Sequence, residues 1–226
     1  MEHLEYIIEY SLGRGVQAFT AGRDAVLPCE VTVGHQVHGT AVAEVTRRGM
    51  TREDLDGYDA LVTRLPGCAI GVRTADCIPV LLYDPVNRAA GAAHAGWRGT
   101  VNRIVQKTVR KMTSLYGTDP ADTLSLIGPG ICKDCFQVGE EVVMHFRDNG
   151  FPLDQIYSWQ GVRDEGMKGG HHLDLKEANR WLLLEAGVPE ENILVSDICT
   201  YTDPRLYSAR REGIECGRNI TAIELL

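Results

Sequence analysis

Apolar residues along the chain fall into short runs separated by Gly, Pro and Asp/Asn turns, the spacing of strands rather than of long helices. Runs at Val31–Val33, Val42–Val45, Ala60–Arg64, Ala69–Arg73, Pro79–Tyr83, Ala90–His94, Leu124–Ile127, Ile193–Ile198, Leu206–Arg210 and Ile220–Leu225 predict strands. Several are continuously apolar, which predicts strands covered on both faces, as in layered folds. Three segments carry helical spacing instead. Val101–Tyr116 places Val101, Ile104, Val105, Val109, Met112 and Leu115 on one stripe, with Thr100 as N-cap. Glu140–Arg147 starts after Gly139 and stops at Asn149-Gly150. Leu175–Ala186 has Asp174 and Glu177 in capping-box spacing, with Gly187 and Pro189 beyond its end. Strands and helices alternate throughout, so the class is α/β or α+β.

No repeat or linker divides the chain, which predicts one domain over residues 1–226. Gly161–Gly170 reads as a loose loop. With 23 Lys+Arg against 31 Asp+Glu the net charge is −8. That excludes a generally basic nucleic-acid binder and leaves room for a local basic patch. No apolar run approaches the ~18–20 residues of a membrane span. The opening MEHLEYIIEY has three Glu and no Lys or Arg, unlike a secretory signal. The expectation is a cytoplasmic monomer or homodimer with no nucleic-acid or membrane partner.

Seven cysteines (29, 68, 77, 132, 135, 199 and 216) exceed what packing needs in a reducing compartment. A metal ligand or a nucleophile among them is therefore expected, although each alone is equally a small buried hydrophobe. Four segments carry candidate chemistry. In His94-Ala-Gly-Trp-Arg-Gly-Thr100, Gly96 and Gly99 allow close approach to a turn that opens a helix. Arg98 and the unpaired helical N–H groups there suit an anion. An ordinary Gly-rich turn is the plainer reading. Thr74-Ala-Asp-Cys-Ile-Pro-Val80 puts Asp76 and Cys77 between apolar strands. Asp76 fits a turn that bonds local N–H groups, and Cys77 is harder to explain that way. Gln36-Val-His-Gly39 follows the first strand, and in an extended segment His35 and His38 point to opposite sides, so at most one of them joins a given site. Cys132-Lys-Asp-Cys135 is a redox pair or half a metal site. His3-Leu4-Glu5 with Cys132–Cys135 imitates a zinc-deaminase signature, but its halves are far apart.

His38, Cys77 and His94 each sit near a strand end followed by a Gly or Pro turn. Three ligands from separate strands with an open fourth position describe a catalytic zinc site, and the donor set suits Zn²⁺ or copper. Residue types alone do not single out this triple. Arg205, Arg210, Arg211 and Arg218 form either a solvated face or part of a phosphate or substrate pocket.

QVHG (36–39), DALVT (59–63), TADCIPVLL (74–82), HAGWRGT (94–100), IGPGIC and CFQVGEEV (127–142), LDLKEANRWLL (173–183), CTY (199–201), YSARREG (207–213) and GR (217–218) together resemble the laccase-domain, or YfiH-like, family of polyphenol oxidases. The resemblance spans roughly residues 30–220 and implies a four-layer α/β/β/α sandwich with mixed sheets, similar to some cysteine-dependent toxin deamidases. It implies His38, Cys77 and His94 as metal ligands, the triple already reached. It further implies phosphorolysis of adenosine, inosine, guanosine or methylthioadenosine to base and ribose 1-phosphate, with adenosine deamination as a second activity. The older laccase label implies Cu²⁺ and phenol oxidation. Two departures stand out: Asp134 replaces one Cys of a family Cys-Cys pair while Cys132 is extra, and Leu206-Tyr207 stands where a Phe-rich segment is usual.

On this reading Cys77, His94, His38 and Asp76 form the catalytic group, with Asp76 or Gln36 orienting a metal-bound histidine. Arg98, Gly96, Gly99, Gln36 and Arg210 bind phosphate or substrate. Two further readings stay open. One is a metal-free thiol enzyme with Cys77 as nucleophile and His94 as base. The other is a zinc-stabilised binding protein without catalysis.

Overall fold

A computed structural model describes residues 6–161 and 169–226. His3-Leu4-Glu5 and most of the Gly161–Gly170 loop lie outside the described residues. An N-terminal hairpin, β1 (Ile7–Tyr10) and β2 (Val16–Ala21), is followed by β3 (Val31–Val33), β4 (Ala41–Glu44), β5 (Tyr58–Thr63) and β6 (Ala69–Thr74). The central hairpin is β7 (Ile78–Asp84) with β8 (Ala89–Ala95). Then come α1 (Trp97–Val101), α2 (Ile104–Tyr116), β9 (Leu124–Ile127), β10 (Gln137–Val138), α3 (Glu140–Asp148), α4 (Leu153–Ile156), β11 (Tyr157–Gln160) and β12 (Gly170–Leu173). The chain continues through α5 (Leu175–Glu185), β13 (Ile193–Val195), α6 (Ala209–Glu212) and β14 (Asn219–Leu225).

Two mixed sheets stack, as the α+β sandwich expectation requires. One has the order β13-β9-β7-β8-β5-β4, the other β1-β2-β14-β6-β3, and a small sheet β10-β12-β11 stands beside them. Alternation along the central strands decides what each face buries. Ile78, Val80 and Leu82 of β7 pack with Ile104, Val105, Val109 and Met112 of α2 and with Leu182 and Leu183 of α5. Leu81 and Tyr83 face the other way, with Ile70 and Val72 of β6 and Ile223 and Leu225 of β14 between the two sheets. The outer face of the five-stranded sheet has a thin cover, in which Ala25, Leu27 and Cys29 lie over Phe19, Ala21 and Ala222.

Strand β8 is nearly all alanine and glycine, so α2 approaches it closely. A Cβ on Gly91 would meet Met112 Sδ at 3.0 Å. Because both faces of β7 and β8 are covered, every residue in them is buried, which explains their continuous apolar runs.

Three sequence expectations are corrected. The Val101–Tyr116 helix is two helices, broken where Arg103 adopts left-handed backbone (φ 64°). Thr100 is not an N-cap: it lies inside α1, with its Oγ1 donating to Ala95 O at 3.4 Å and accepting from Asn179 Nδ2 at 3.1 Å. Leu206–Arg210 is not a strand, because Ser208 caps α6 by accepting from Arg211 N (3.2 Å). The Asp174 cap of α5 is present, accepting from Glu177 N at 3.0 Å.

Two tests follow from this packing. Leu82→Ala opens a cavity in the central strand and should cost about 2–5 kcal/mol, read as a lower urea midpoint with an unchanged m-value. Glu212 accepts from Arg23 (2.6 Å), Arg211 (2.7 Å) and Ser208 N (3.2 Å). The Arg23 bond foremost holds its carboxyl down at about 2. A depressed folded value stabilises above the ordinary carboxylate range, and that stability is lost as pH falls toward 2. Glu212→Gln should therefore flatten the acid side of the stability profile between about pH 4.5 and 2.

Candidate active site

Strand register brings the site together. In the β7–β8 pairing Ile78 lies opposite Ala95, so Cys77 and Gly96, one step further, are neighbours. In the β5–β8 pairing Ala60 lies opposite Ala93, and the next step sets Asp59 opposite His94. His38 arrives on the loop between β3 and β4. His94 has the same parity as Ala90 and Ala92, so it points away from α2 and toward the other sheet.

Asp59 is the hub. It is buried, and its Oδ1 accepts from His94 Nδ1 at 2.7 Å and from His38 N at 2.9 Å. Its Oδ2 accepts from Val37 N (3.0 Å) and Gly39 N (2.8 Å). Three consecutive backbone N–H groups thus close around one carboxylate, the concave arrangement that peptide groups form around anions. His38 itself sits in the left-handed region (φ 61°), a strained choice for a non-glycine residue that these bonds offset. Burial alone would raise the Asp59 carboxyl, but the His94 bond and the backbone donors bring it below its ordinary value.

With Nδ1 committed to Asp59, His94 presents Nε2 to the site. The donor atoms of His38, Cys77 and His94 all lie within 4.8 Å of one another. Cys77 Sγ is 4.0 Å from His38 Nε2, and the two imidazole rings meet edge-on at 4.8 Å. A Cβ on Gly96 would stand 2.9 Å from Cys77 Sγ and 3.2 Å from His38 Cδ2, so only glycine leaves this cradle open. Burial pushes the Cys77 thiol up, but the charge of His94 and the bonds to both histidines outweigh it and bring it to about 6. Burial likewise works against His94⁺, and the Cys77 charge with the Asp59 bond raises it to about 9. A thiolate and two imidazoles aimed at one point fit a borderline-soft divalent ion.

The triple forms one wall of a cavity of about 380 Å³. Arg52, Arg73 and Arg218 line it, together with Glu215 and the apolar Ile214 and Ala209. Burial, then the nearby Arg52 and Arg218 charges, lower the Arg73 guanidinium. Three cations converging on one cavity are a platform for an anion.

The structure relocates several sequence expectations. Gln36 orients neither histidine: its amide donates to Arg73 O (2.9 Å) and accepts from Arg73 N (2.8 Å), which extends the β3–β6 ladder and fixes Arg73. Asp76 does not orient them either. At φ 86°, its carboxylate accepts from Thr200 Oγ1 and from Arg210 N, both at 2.6 Å, bracing the turn that carries Cys77. Arg98 stacks on Trp97 at 4.4 Å and is not among the cavity-lining residues. The Arg210 guanidinium is occupied by Cys135 O (3.2 Å) and Gln137 O (2.9 Å). Gly99 is a packing position, where a Cβ would lie 3.3 Å from His94 O and 3.4 Å from Gly39 O. Sequence reasoning missed Asp59, Arg52 and Arg73. The available signal for Asp59 was a lone carboxylate inside the apolar run Tyr58-Asp-Ala-Leu-Val62.

Asp59→Ala would leave three backbone N–H groups and the His94 Nδ1–H without their acceptor. It should cost about 3 kcal/mol or more in denaturant unfolding, whereas Asp56→Ala, at an exposed carboxylate paired with His35, should stay within about 0.5 kcal/mol.

Comparison with known proteins agrees with this architecture. The sequence pattern of the family described as multi-copper polyphenol oxidoreductase laccase matches residues 18–226. A protein named purine nucleoside phosphorylase from Bacteroides thetaiotaomicron is 42% identical over 204 residues, covering 87% of this chain and 74% of that protein. Adenosine deaminase RL5, from an unknown prokaryotic organism, is 41% identical over 201 residues, covering 86% of this chain and 74% of its own. The crystal structure of YlmD from Geobacillus stearothermophilus superposes with a TM-score of 0.82 at 28% identity, over 96% of this chain and 94% of that one. With the fold, the ordered motifs and these relatives in agreement, the chain belongs to the laccase-like, YfiH-type family.

Proposed function

We propose that the protein is a purine nucleoside phosphorylase, with His38, Cys77 and His94 holding a divalent metal ion, Zn²⁺ by preference. The observation that carries the reading is the shared cavity: a two-histidine, one-cysteine donor set on the wall of a 380 Å³ space lined by three guanidiniums. That volume accommodates a nucleoside beside a phosphate, and the names of the relatives point to purine nucleosides. Arg73, with Arg52 beside it, holds the phosphate dianion, while Arg218, whose guanidinium donates to the Cys216, Gly217 and Ile214 carbonyls, adds positive charge to the cavity wall. Ile214 and Ala209 offer apolar surface to the base. A phosphate oxygen bonds to C1′ of the ribose as the C1′–N bond breaks, and the base leaves with the electron pair and takes up a proton. When bound, the metal ion supplies Lewis-acid charge to a substrate oxygen. The protein's own part is to keep Nε2 of His94 aimed inward through Asp59 and to keep Cys77 placed through Asp76.

The family label names multiple coppers, and the donor inventory argues for a different ion. His35 bonds Asp56, His145 stacks on Trp97, His171 bonds Tyr157, and His172 bonds Lys133 O. Among the described residues that leaves two histidines at the cavity, too few for a cluster of coppers. The seven free thiols suit a reducing, cytoplasmic setting. Adenosine deamination is a second reading, favoured by the relative named for it.

Purified protein incubated with adenosine, with and without phosphate, separates the readings. Phosphate-dependent release of adenine with metal bound is expected. His38→Ala should lose metal and turnover together, and Arg73→Ala should raise KM for phosphate about tenfold or more. Inosine formed without phosphate would establish the deaminase instead. Activity that survives a chelator but not alkylation would establish a metal-free thiol enzyme.

A further inference from the structure

The Cys132–Cys135 pair plays no part in the proposed reaction, yet the fold gives it a third cysteine. Lys133–Cys135 forms a single 3-10 turn in which Cys135 N and Phe136 N donate to Cys132 O (3.1 and 3.0 Å). Cys199 comes from the segment after β13, and the three Sγ atoms lie within 4.8 Å of one another. The two segments are locked together by their backbones, through the Gly130–Cys199 bridge and the Thr200 N to Gly130 O bond (3.2 Å). Cys132 N donates to Cys199 Sγ at 3.2 Å, a bond that favours negative charge on that sulfur.

A counter-charge stands next to the thiols. Lys176 of α5 is buried, and among the described residues its ammonium donates only to carbonyls, Ser196 O at 2.7 Å and Ile198 O at 2.8 Å. Burial lowers the ammonium, opposed by the attraction of Cys199, Asp174, Cys132 and Asp197, and it forms no ion pair with a carboxylate among the described residues. A buried ammonium beside neutral thiols is poorly compensated. Three thiolates around a divalent ion carry a net charge of −1, which Lys176 would balance.

We propose that Cys132, Cys135 and Cys199 form a second metal site, separate from the His38–Cys77–His94 cluster, that takes a thiophilic divalent ion such as Zn²⁺ in a structural role. Three sulfurs are one short of the closed four-ligand set usual in structural zinc sites, so solvent would complete the coordination here. The ion would clamp the 130–135 segment to the 199–200 segment. Thr200 and Arg210, which hold the Asp76 carboxylate, are anchored on those same segments through Gly130 O and Cys135 O. Metal at this second position would therefore stiffen the turn that presents Cys77.

The test uses the full chain, purified under reducing conditions and titrated with Co²⁺ and Zn²⁺. In Cys77→Ser, which cripples the first cluster, a metal equivalent and a thiolate-to-Co²⁺ charge-transfer band should persist. Adding Cys199→Ser, or separately the half-buried Cys132→Ser, should abolish both while far-UV circular dichroism stays native. In the unaltered chain, Zn²⁺ should slow iodoacetamide labelling of Cys132, Cys135 and Cys199, and a chelator should restore it. A folded Cys77→Ser protein that binds no metal would overturn the proposal. So would a band indifferent to Cys132 and Cys199, or labelling of the three thiols at equal rates with and without Zn²⁺. None of these readouts depends on turnover, so they stand whatever the reaction at the first cluster.

Discussion

One buried carboxylate organises the functional end of this molecule. Asp59 sits where three demands meet: a loop that must reverse direction, a histidine that must present a chosen nitrogen, and a charge that must not be left unpaired in an apolar interior. Each demand is unfavourable alone. The left-handed backbone at His38 is strained, a buried aspartate is costly, and an untethered imidazole would sample several orientations. Together they satisfy one another. The loop's N–H groups neutralise the carboxylate, the carboxylate fixes the histidine, and the reversal brings His38 to face it.

A second brace works at longer range. Asp76, also held at positive φ, is gripped by Thr200 and by the backbone of Arg210, both more than a hundred residues further along the chain. The two strained residues carry the two sides of the donor set. Their strain is offset by hydrogen bonds from elsewhere in the fold, so the cluster's geometry depends on the sandwich as a whole. The arginines follow the same logic. Arg73 is held at the end of β6 by the Gln36 amide, and Arg218 enters β14 beside it because Asn219 pairs with Thr74.

How much of this was legible in the sequence differs by level. The central strands were clear because continuous apolar runs such as Ile78–Tyr83 have no other use in a chain of this polarity. Strands β1, β2, β11 and β12 were not, since Tyr157–Gln160 and Gly170–Leu173 are half-polar and owe their pairing to the sheet they join. The Val101–Tyr116 segment read as one continuous helix, because apolar spacing does not register a single left-handed residue at Arg103. His38, Cys77 and His94 were one candidate triple by type and place, and the resemblance of the motifs around them singled it out. Their supporting partners could not, because a hydrogen bond across two strands leaves no trace in local spacing: Asp59 looked like a strand residue, and Arg73 like the end of one. Arg98 misled for the opposite reason, as it stands in a suggestive motif but rests on Trp97.

The placement of β14 reaches beyond the site. This strand pairs with β2 on one side and β6 on the other, joining Val16 to Leu225 and Arg73 to Ile220. The N-terminal hairpin and the β3–β6 pair therefore have no sheet contact with each other until a strand from far along the chain is inserted between them. Closing such distant contacts is slow, because loop entropy is lost before the pairing compensates it. A nascent chain would thus hold much of the donor set in an open, unfinished half-sandwich. The arginine-lined cavity would come into being only once β14 is in place, so that the site is completed by the fold itself.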